Sequence, residues 1–246
     1  MSDQDRRVAA VTGGARGIGR AISERLAADG AHVLVIDISD RAEETVDAIV
    51  DAGGSAEFRE ADVTDEERMN EVFSDVALDA VVNNAAYFRP LLADLKRFDG
   101  ITEEEWDTVM SVNTKGVFIT CKAALPNFGD GGSIVNIASN MANTGVPGFL
   151  HYVSSKAAVV GLSRAMANEV GDLGIRVNAV LPGLTASETV REDYDDDAVE
   201  RRVEQQAIKR PIEPADIANA VAFLAGPDSE MVTGKTLTVD GGYTHY

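Results

Sequence analysis

The run Val8-Ala9-Ala10-Val11-Thr12-Gly13-Gly14-Ala15-Arg16-Gly17-Ile18-Gly19 decides the fold. Its first four residues are small, apolar and unbroken by polar positions, as in a strand covered on both faces. The glycines that follow let the chain turn sharply and bring backbone N–H groups close to a diphosphate. The helix predicted from Gly17 adds partial positive charge at its start. The spacing from Gly13 is Gly-x-x-x-Gly-x-Gly, not the commoner Gly-x-Gly-x-x-Gly. Taken alone, such a turn also serves as a tight structural link between strand and helix.

Outward from this run, apolar stretches alternate with amphipathic ones. Strands are predicted at Val8–Val11, His32–Ile36, Ala56–Ala61, Ala80–Val82, Ser133–Ile137, Arg176–Val180 and Thr236–Val239. Between them lie helical spacings: Ile22, Leu26 and Ala27 share one face of Gly17–Asp29, and Val46, Ile49 and Val50 do so in the next segment. This rhythm implies an α/β fold: a single Rossmann domain over residues 1–246, with a doubly wound, seven-stranded parallel sheet flanked by helices. Two segments interrupt it, at about residues 87–102 and 184–214. Both follow strand carboxyl ends, where such sheets bind ligands, so they are expected to wall or cover a pocket.

Composition narrows the partners. The formal net charge is −19, and sixteen of the 22 basic residues are arginine. So acidic a surface repels nucleic-acid phosphates and anionic lipid, and neither is expected to bind. No stretch has the roughly 18 unbroken apolar residues of a membrane span. The polar start, Met1–Arg7, runs directly into the first strand without a recognisable secretion signal. Cys121 is the only cysteine, which fits a reducing, cytoplasmic setting and a buried apolar role. No metal-ligand pattern is present, and no metal is expected.

Asp37 ends the second predicted strand, 20 residues after Gly17. A carboxylate there can accept hydrogen bonds from both adenosine ribose hydroxyls and repels a 2′-phosphate, which favours NAD over NADP. Arg16 and Arg41 argue the other way, since a guanidinium pairs well with a 2′-phosphate. Asp62-Val63 closes the third strand as a polar–apolar pair able to bracket an adenine. Asn83-Asn84-Ala85-Ala86 closes the fourth, where Asn84 either contacts the cofactor or ties strand ends together.

Tyr152-Val153-Ser154-Ser155-Lys156 opens a further helix, and a spacing of four puts phenol and ammonium one turn apart on one face. A tyrosine with a reference pKa near 10 is a poor base at neutral pH, and a nearby cation favours its phenolate. The bare pair arises often by chance. It gains meaning from its companions in the chain: Thr12–Gly19, Asp62, Asn83–Ala86, Asn113, Ser139 in Asn-Ile-Ala-Ser, and Pro182-Gly183.

In that order and at nearly that spacing, these motifs resemble the short-chain dehydrogenase/reductase family in its short single-domain branch, across essentially the whole chain. The resemblance implies that Ser139, Tyr152, Lys156 and Asn113 form the catalytic set. Tyr152 would transfer the proton, and Lys156 would hold the nicotinamide ribose. Ser139 would bind the substrate oxygen, while Asn113 would kink its helix and hold a water linked to Lys156. Gly13, Arg16, Gly17, Ile18, Gly19, Asp37, Asp62, Val63, Asn84, Pro182, Gly183, Thr185 and Ser187 would join Tyr152 and Lys156 around NAD. Ala85-Ala86 stands where Ala-Gly is usual, Thr185 where Ile or Val is usual, and Ser187 where Thr is common. The loop 87–102 is several residues longer than usual.

Tyr87, Met141, Phe149, Leu184 and Tyr194 are expected to form an apolar substrate pocket, together with Phe88 and Pro147. The region from Asn136 to Lys156 and the closing Gly-Gly-Tyr-Thr-His-Tyr resemble dehydrogenases of aryl or cyclic secondary alcohols. That makes a bulky secondary alcohol or its ketone the leading small-molecule partner. An NADPH-dependent 3-oxoacyl-[acyl-carrier-protein] reductase has the same catalytic set and is the main alternative. Against it stand Asp37 and the acidic surface, although Arg89, Lys96 and Arg97 form a local basic cluster. A sugar-nucleotide epimerase would need a different glycine turn and further C-terminal sequence. A non-catalytic nucleotide sensor would not be expected to keep Ser139, Tyr152 and Lys156 intact. The resemblance also implies a homotetramer, built on the outer faces of the helices Trp106–Leu125 and Tyr152–Glu169.

Overall fold

The computed structural model describes residues 6–193 and 196–245. Seven parallel strands form one sheet: β1 (Val8–Thr12), β2 (His32–Asp37), β3 (Ser55–Glu60), β4 (Leu78–Asn83), β5 (Phe128–Ile137), β6 (Ile175–Pro182) and β7 (Thr236–Val239). Their order across the sheet is β3-β2-β1-β4-β5-β6-β7. Every predicted strand is present, with ends moved by a few residues.

Alternation along each strand separates the two sides of the sheet. Ala9, Val11, Val33, Val35, Val82, Val135 and Val180 pack on one side. There they meet α1 (Gly17–Ala28), α2 (Ala42–Asp51) and α11 (Pro214–Ala225), through Ile22, Leu26, Ile49, Ile217 and Val221. Ala10, Leu34, Ile36, Val81, Ile134 and Val177 point the other way. They meet α3 (Glu66–Phe73), α6 (Gly116–Ala124) and α8 (Leu150–Glu169), through Met69, Phe73, Ile119 and Val159. Burial on both faces explains why these strands lack polar alternation.

The order reverses between β1 and its neighbour β4, and the crevice outside the carboxyl ends of these two strands is where open α/β sheets take ligands. The segment after β4 holds only the short α4 (Arg89–Leu92) and a 3₁₀ turn at Phe98–Gly100. It ends at Thr102, whose hydroxyl and Glu105 form a capping box that starts α5 (Glu103–Met110). The predicted helix Trp106–Leu125 is interrupted: between α5 and α6 a π-helical turn spans Ser111–Lys115. Beyond β5 lies α7 (Met141–Thr144). After β6, the segment 184–214 carries α9 (Glu188–Asp193) and α10 (Asp196–Gln205), and Thr185 pairs with Ile212 across its base.

Candidate active site

A cleft of about 650 Å³ runs along the carboxyl ends of the strands. One end is built by the glycine turn. Gly13 and Gly17 have φ of +66° and +57°, a left-handed backbone that side chains resist. A Cβ at Gly19 would overlap the Gly13 carbonyl oxygen, so helix and turn approach as only glycine permits. No side chain caps the start of α1, which leaves its first-turn N–H groups for an anion. Asn84 Nδ2 donates to the carbonyls of Thr12 (3.1 Å) and Gly13 (2.9 Å), clamping the turn to the end of β4. Of the two sequence readings of Asn84, its amide nitrogen follows the structural one.

Asp37 lines the same end, its carboxylate fixed by backbone N–H donors: Ala15 to Oδ2 at 3.0 Å and Ser39 to Oδ1 at 3.1 Å. Arg41 also lines the cleft, 3.9 Å from Glu44 and 3.8 Å from Glu188. Asp62 and Val63 lie just past β3, with Asp62 Oδ1 accepting from the Thr64 N–H and hydroxyl at 2.8 Å each. Arg16, Ile18, Pro182, Gly183, Thr185 and Ser187 complete this lining as expected. These groups fit a dinucleotide: an uncapped helix start for its diphosphate, a fixed carboxylate for ribose hydroxyls, and no side chains filling the turn.

At the other end stand Ser139, Tyr152 and Lys156. Helix α8 buries Tyr152 to 8% and Lys156 to 3% exposure. The Lys156 ammonium lies 5.9 Å from the centre of the Tyr152 ring and donates to the Ile137 carbonyl at 2.8 Å. Burial lowers its pKa from 10.5 to about 8. Ser139 Oγ accepts from the Met141 N–H at 3.2 Å, which leaves the hydroxyl proton available to a ligand.

The family resemblance expects Asn113 to kink its helix and hold a water linked to Lys156. Asn113 sits in the π-helical turn, fully buried, and does not line the cleft. Its Oδ1 accepts from the Tyr87 N–H at 2.6 Å, and its Nδ2 donates to Ser155 Oγ at 3.1 Å. Asn113 therefore joins the loop after β4 to helix α8. The π turn opens the helix where this junction forms, as such turns often do at functional sites.

An aromatic wall adjoins Tyr152. The Phe88 ring lies 4.8 Å from that of Tyr152 and 6.1 Å from that of Phe149, centre to centre. Tyr87, Met141, Phe149 and Leu184 line the cleft as expected, but Pro147 does not. Tyr194 lies outside the described residues. His151, next to Tyr152, is buried away from the cleft, and burial lowers its pKa. Each member of the basic cluster already has a carboxylate: Glu192 for Arg89 at 2.9 Å, Asp94 and Glu105 for Lys96, and Asp99 for Arg97.

Two residues of this end escaped the sequence reading. Arg202, on α10, lines the cleft. Asp240, just past β7, is buried and accepts from the N–H groups of Gly242, Tyr243 and Thr244, and from Asn140 Nδ2 at 3.4 Å. Nothing in the sequence around Asp240 pointed to Asn140, a hundred residues earlier.

The fold and the Ser–Tyr–Lys cleft define a nucleotide-binding oxidoreductase of the Rossmann type, and the chain belongs to the short-chain dehydrogenase/reductase family. A family model described as enoyl-(acyl carrier protein) reductase matches residues 13–244. The 3-oxoacyl-[acyl-carrier-protein] reductase FabG of Staphylococcus epidermidis is 37% identical over 244 residues, covering 95% of this chain and 97% of the relative. Its counterpart in Haemophilus influenzae is also 37% identical over 244 residues, with 96% and 97% covered. Among solved structures, a dehydrogenase/reductase from Sinorhizobium meliloti 1021 is similar with a TM-score of 0.89 and 38% identity, covering 97% of this chain and 95% of that one. No described helix is long and apolar enough to cross a membrane.

Proposed function

We propose that the chain interconverts a ketone and a secondary alcohol at the cleft, with Tyr152 as the proton-transferring group. The carrying observation is that Ser139 and Tyr152 share one cleft with a buried lysine beside the tyrosine. When bound, a nicotinamide dinucleotide supplies or accepts the hydride. Tyr152 gives its proton to the substrate oxygen in reduction and takes it back in oxidation. The Lys156 ammonium stabilises the phenolate left behind, and its remaining protons are suited to the nicotinamide ribose hydroxyls. Ser139 donates to the substrate oxygen, orienting it and stabilising its developing negative charge.

For the substrate, the curated relatives support a 3-oxoacyl thioester, reduced at its ketone, ahead of the bulky secondary alcohol preferred from sequence. The aromatic wall of Phe88 and Phe149 is the observation that keeps an aryl or cyclic alcohol as the second reading. With Arg89, Lys96 and Arg97 already paired, that cluster offers little charge to dock an acidic carrier protein.

For the cofactor, the fixed Asp37 carboxylate supports NAD, whereas the 3-oxoacyl reading goes with NADPH. Absorbance at 340 nm separates the pairings: NADH and NADPH against acetoacetyl thioesters, and NAD and NADP against aryl secondary alcohols. Turnover of neither substrate class would remove the proposal. A homotetramer is part of the same reading. Trp106 and Phe118 are exposed, and Phe118 forms a shallow outer patch with Met110 and Leu162. Sedimentation as a monomer would refute it.

A further inference from the structure

We propose that Arg202 makes the substrate end of the cleft an anion-binding subsite, so that the substrate carries a carboxylate or phosphate beyond its reacting carbonyl. The inference rests on the oxidoreductase reading above and specifies the substrate of the same cleft.

Among the described residues, five cations line the cleft: Arg16, Arg41, Arg89, Lys156 and Arg202. Arg16 belongs to the glycine turn, Arg41 lies near Glu44 and Glu188, Arg89 is paired with Glu192, and Lys156 donates to Ile137. Among the described residues, Arg202 has no carboxylate partner. That is notable in a chain with 41 acidic residues against 22 basic ones. Its guanidinium instead lies 4.3 Å over the centre of the Tyr243 ring.

That arrangement holds the group without consuming its donors. A guanidinium stacked on a ring keeps its N–H edge free, and that edge matches a carboxylate or phosphate in a bidentate manner. The ring is itself anchored, because the Tyr243 N–H donates to Asp240 Oδ1 at 3.2 Å. Asp240 Oδ2 accepts from Asn140, the residue after Ser139. The end of α10 is tied to the same turn, where the Ile208 N–H donates to the Gly241 carbonyl at 2.9 Å. Arg202 is therefore linked, through Tyr243 and Asp240, to the residue that follows Ser139. The aromatic wall could recognise an apolar body, and Arg202 supplies the one charged contact this end has to spare.

The test measures binding, so it does not depend on turnover. With saturating oxidised dinucleotide, whichever of NAD or NADP binds, ketones form dead-end complexes that calorimetry can titrate. One pair is 4-acetylbenzoate and its methyl ester; the other is acetoacetyl-CoA and acetoacetyl-N-acetylcysteamine, which lacks the phosphates. The charged member of at least one pair should bind roughly tenfold to hundredfold more tightly. Arg202→Met should erase that preference while leaving the neutral member unchanged, and Arg202→Lys should restore part of it. Selectivity in the first pair assigns a carboxylate, and in the second a phosphate. No selectivity in either pair, selectivity that survives Arg202→Met, or equal weakening of both members overturns the subsite. The last result would make Arg202 a latch between α10 and the C-terminal turn. Absence of turnover on every ketone would sink the oxidoreductase reading instead, and the binding comparison would still report on Arg202.

Discussion

The Lys156 ammonium stands 5.9 Å from the centre of the Tyr152 ring, buried beside it and held by the Ile137 carbonyl at the end of β5. The lysine of a pair one helical turn apart on α8 is thereby tied to the carboxyl end of a central strand. The lysine is the costlier of the two to bury, since it has no carboxylate to offset its desolvation.

Tyr152→Phe keeps the ring that packs on Phe88 and Phe149 and removes only the hydroxyl. Turnover should fall by about 10²–10⁴-fold or more, while dinucleotide affinity stays within a few-fold. Steady-state rates with a fluorescence titration of NADH check both halves, and substantial residual activity would dismiss Tyr152 from its role.

The burial of Lys156 also predicts a pH signature. Its folded pKa of about 8 lies below the usual lysine value of 10.5, so the unfolded chain binds more protons between those values. The stability penalty from this group is complete below pH 8 and disappears as pH rises through 10.5. Lys156→Met should therefore stabilise the cofactor-free protein at neutral pH, on the order of 1–2 kcal/mol after loss of the Ile137 contact. The advantage should shrink toward alkaline pH, and the variant should lose activity. Thermal melts across pH 7–10.5 test this, and a gap that widens with pH would contradict it.

Asp37→Ala removes the charge that would oppose a 2′-phosphate and leaves Arg16 and Arg41 nearby. The ratio of kcat/KM for NAD over NADP should drop by at least about tenfold, roughly 1.4 kcal/mol. An unchanged ratio would show that Asp37 does not set cofactor choice.

Gly19→Ala places a methyl group against the Gly13 carbonyl and the Asn84 amide. Either the turn shifts or the helix start does, at a cost of about 1–3 kcal/mol. A lower melting temperature together with weakened dinucleotide binding is expected, and a variant with wild-type affinity would mean that the turn has slack.

Cys121 is buried, and desolvation pushes its thiol pKa up to about 12. A thiol that rarely ionises and cannot be reached should not react with Ellman's reagent in the native state, and should react fully in guanidinium. Rapid native labelling would show that α6 opens.

The chain's own pattern determined the sheet and the glycine turn and put Tyr152 and Lys156 on one helix face, while Ser139 joined them only through the family resemblance. The reason is that these depend on local properties: unbroken apolar runs, residues that tolerate positive φ, and a helical spacing of four. Its limits lay where distant segments meet. That Asn113 joins Tyr87 to Ser155 from within a π-turn was decided by the tertiary structure. Arg89 looked available until the fold brought Glu192 beside it from about a hundred residues on. Arg202 was one arginine of sixteen until the fold laid it over Tyr243 and into the lining of the cleft. Whether a charged side chain is paired, buried or free depends on which remote neighbour the fold delivers, and no local periodicity encodes that neighbour.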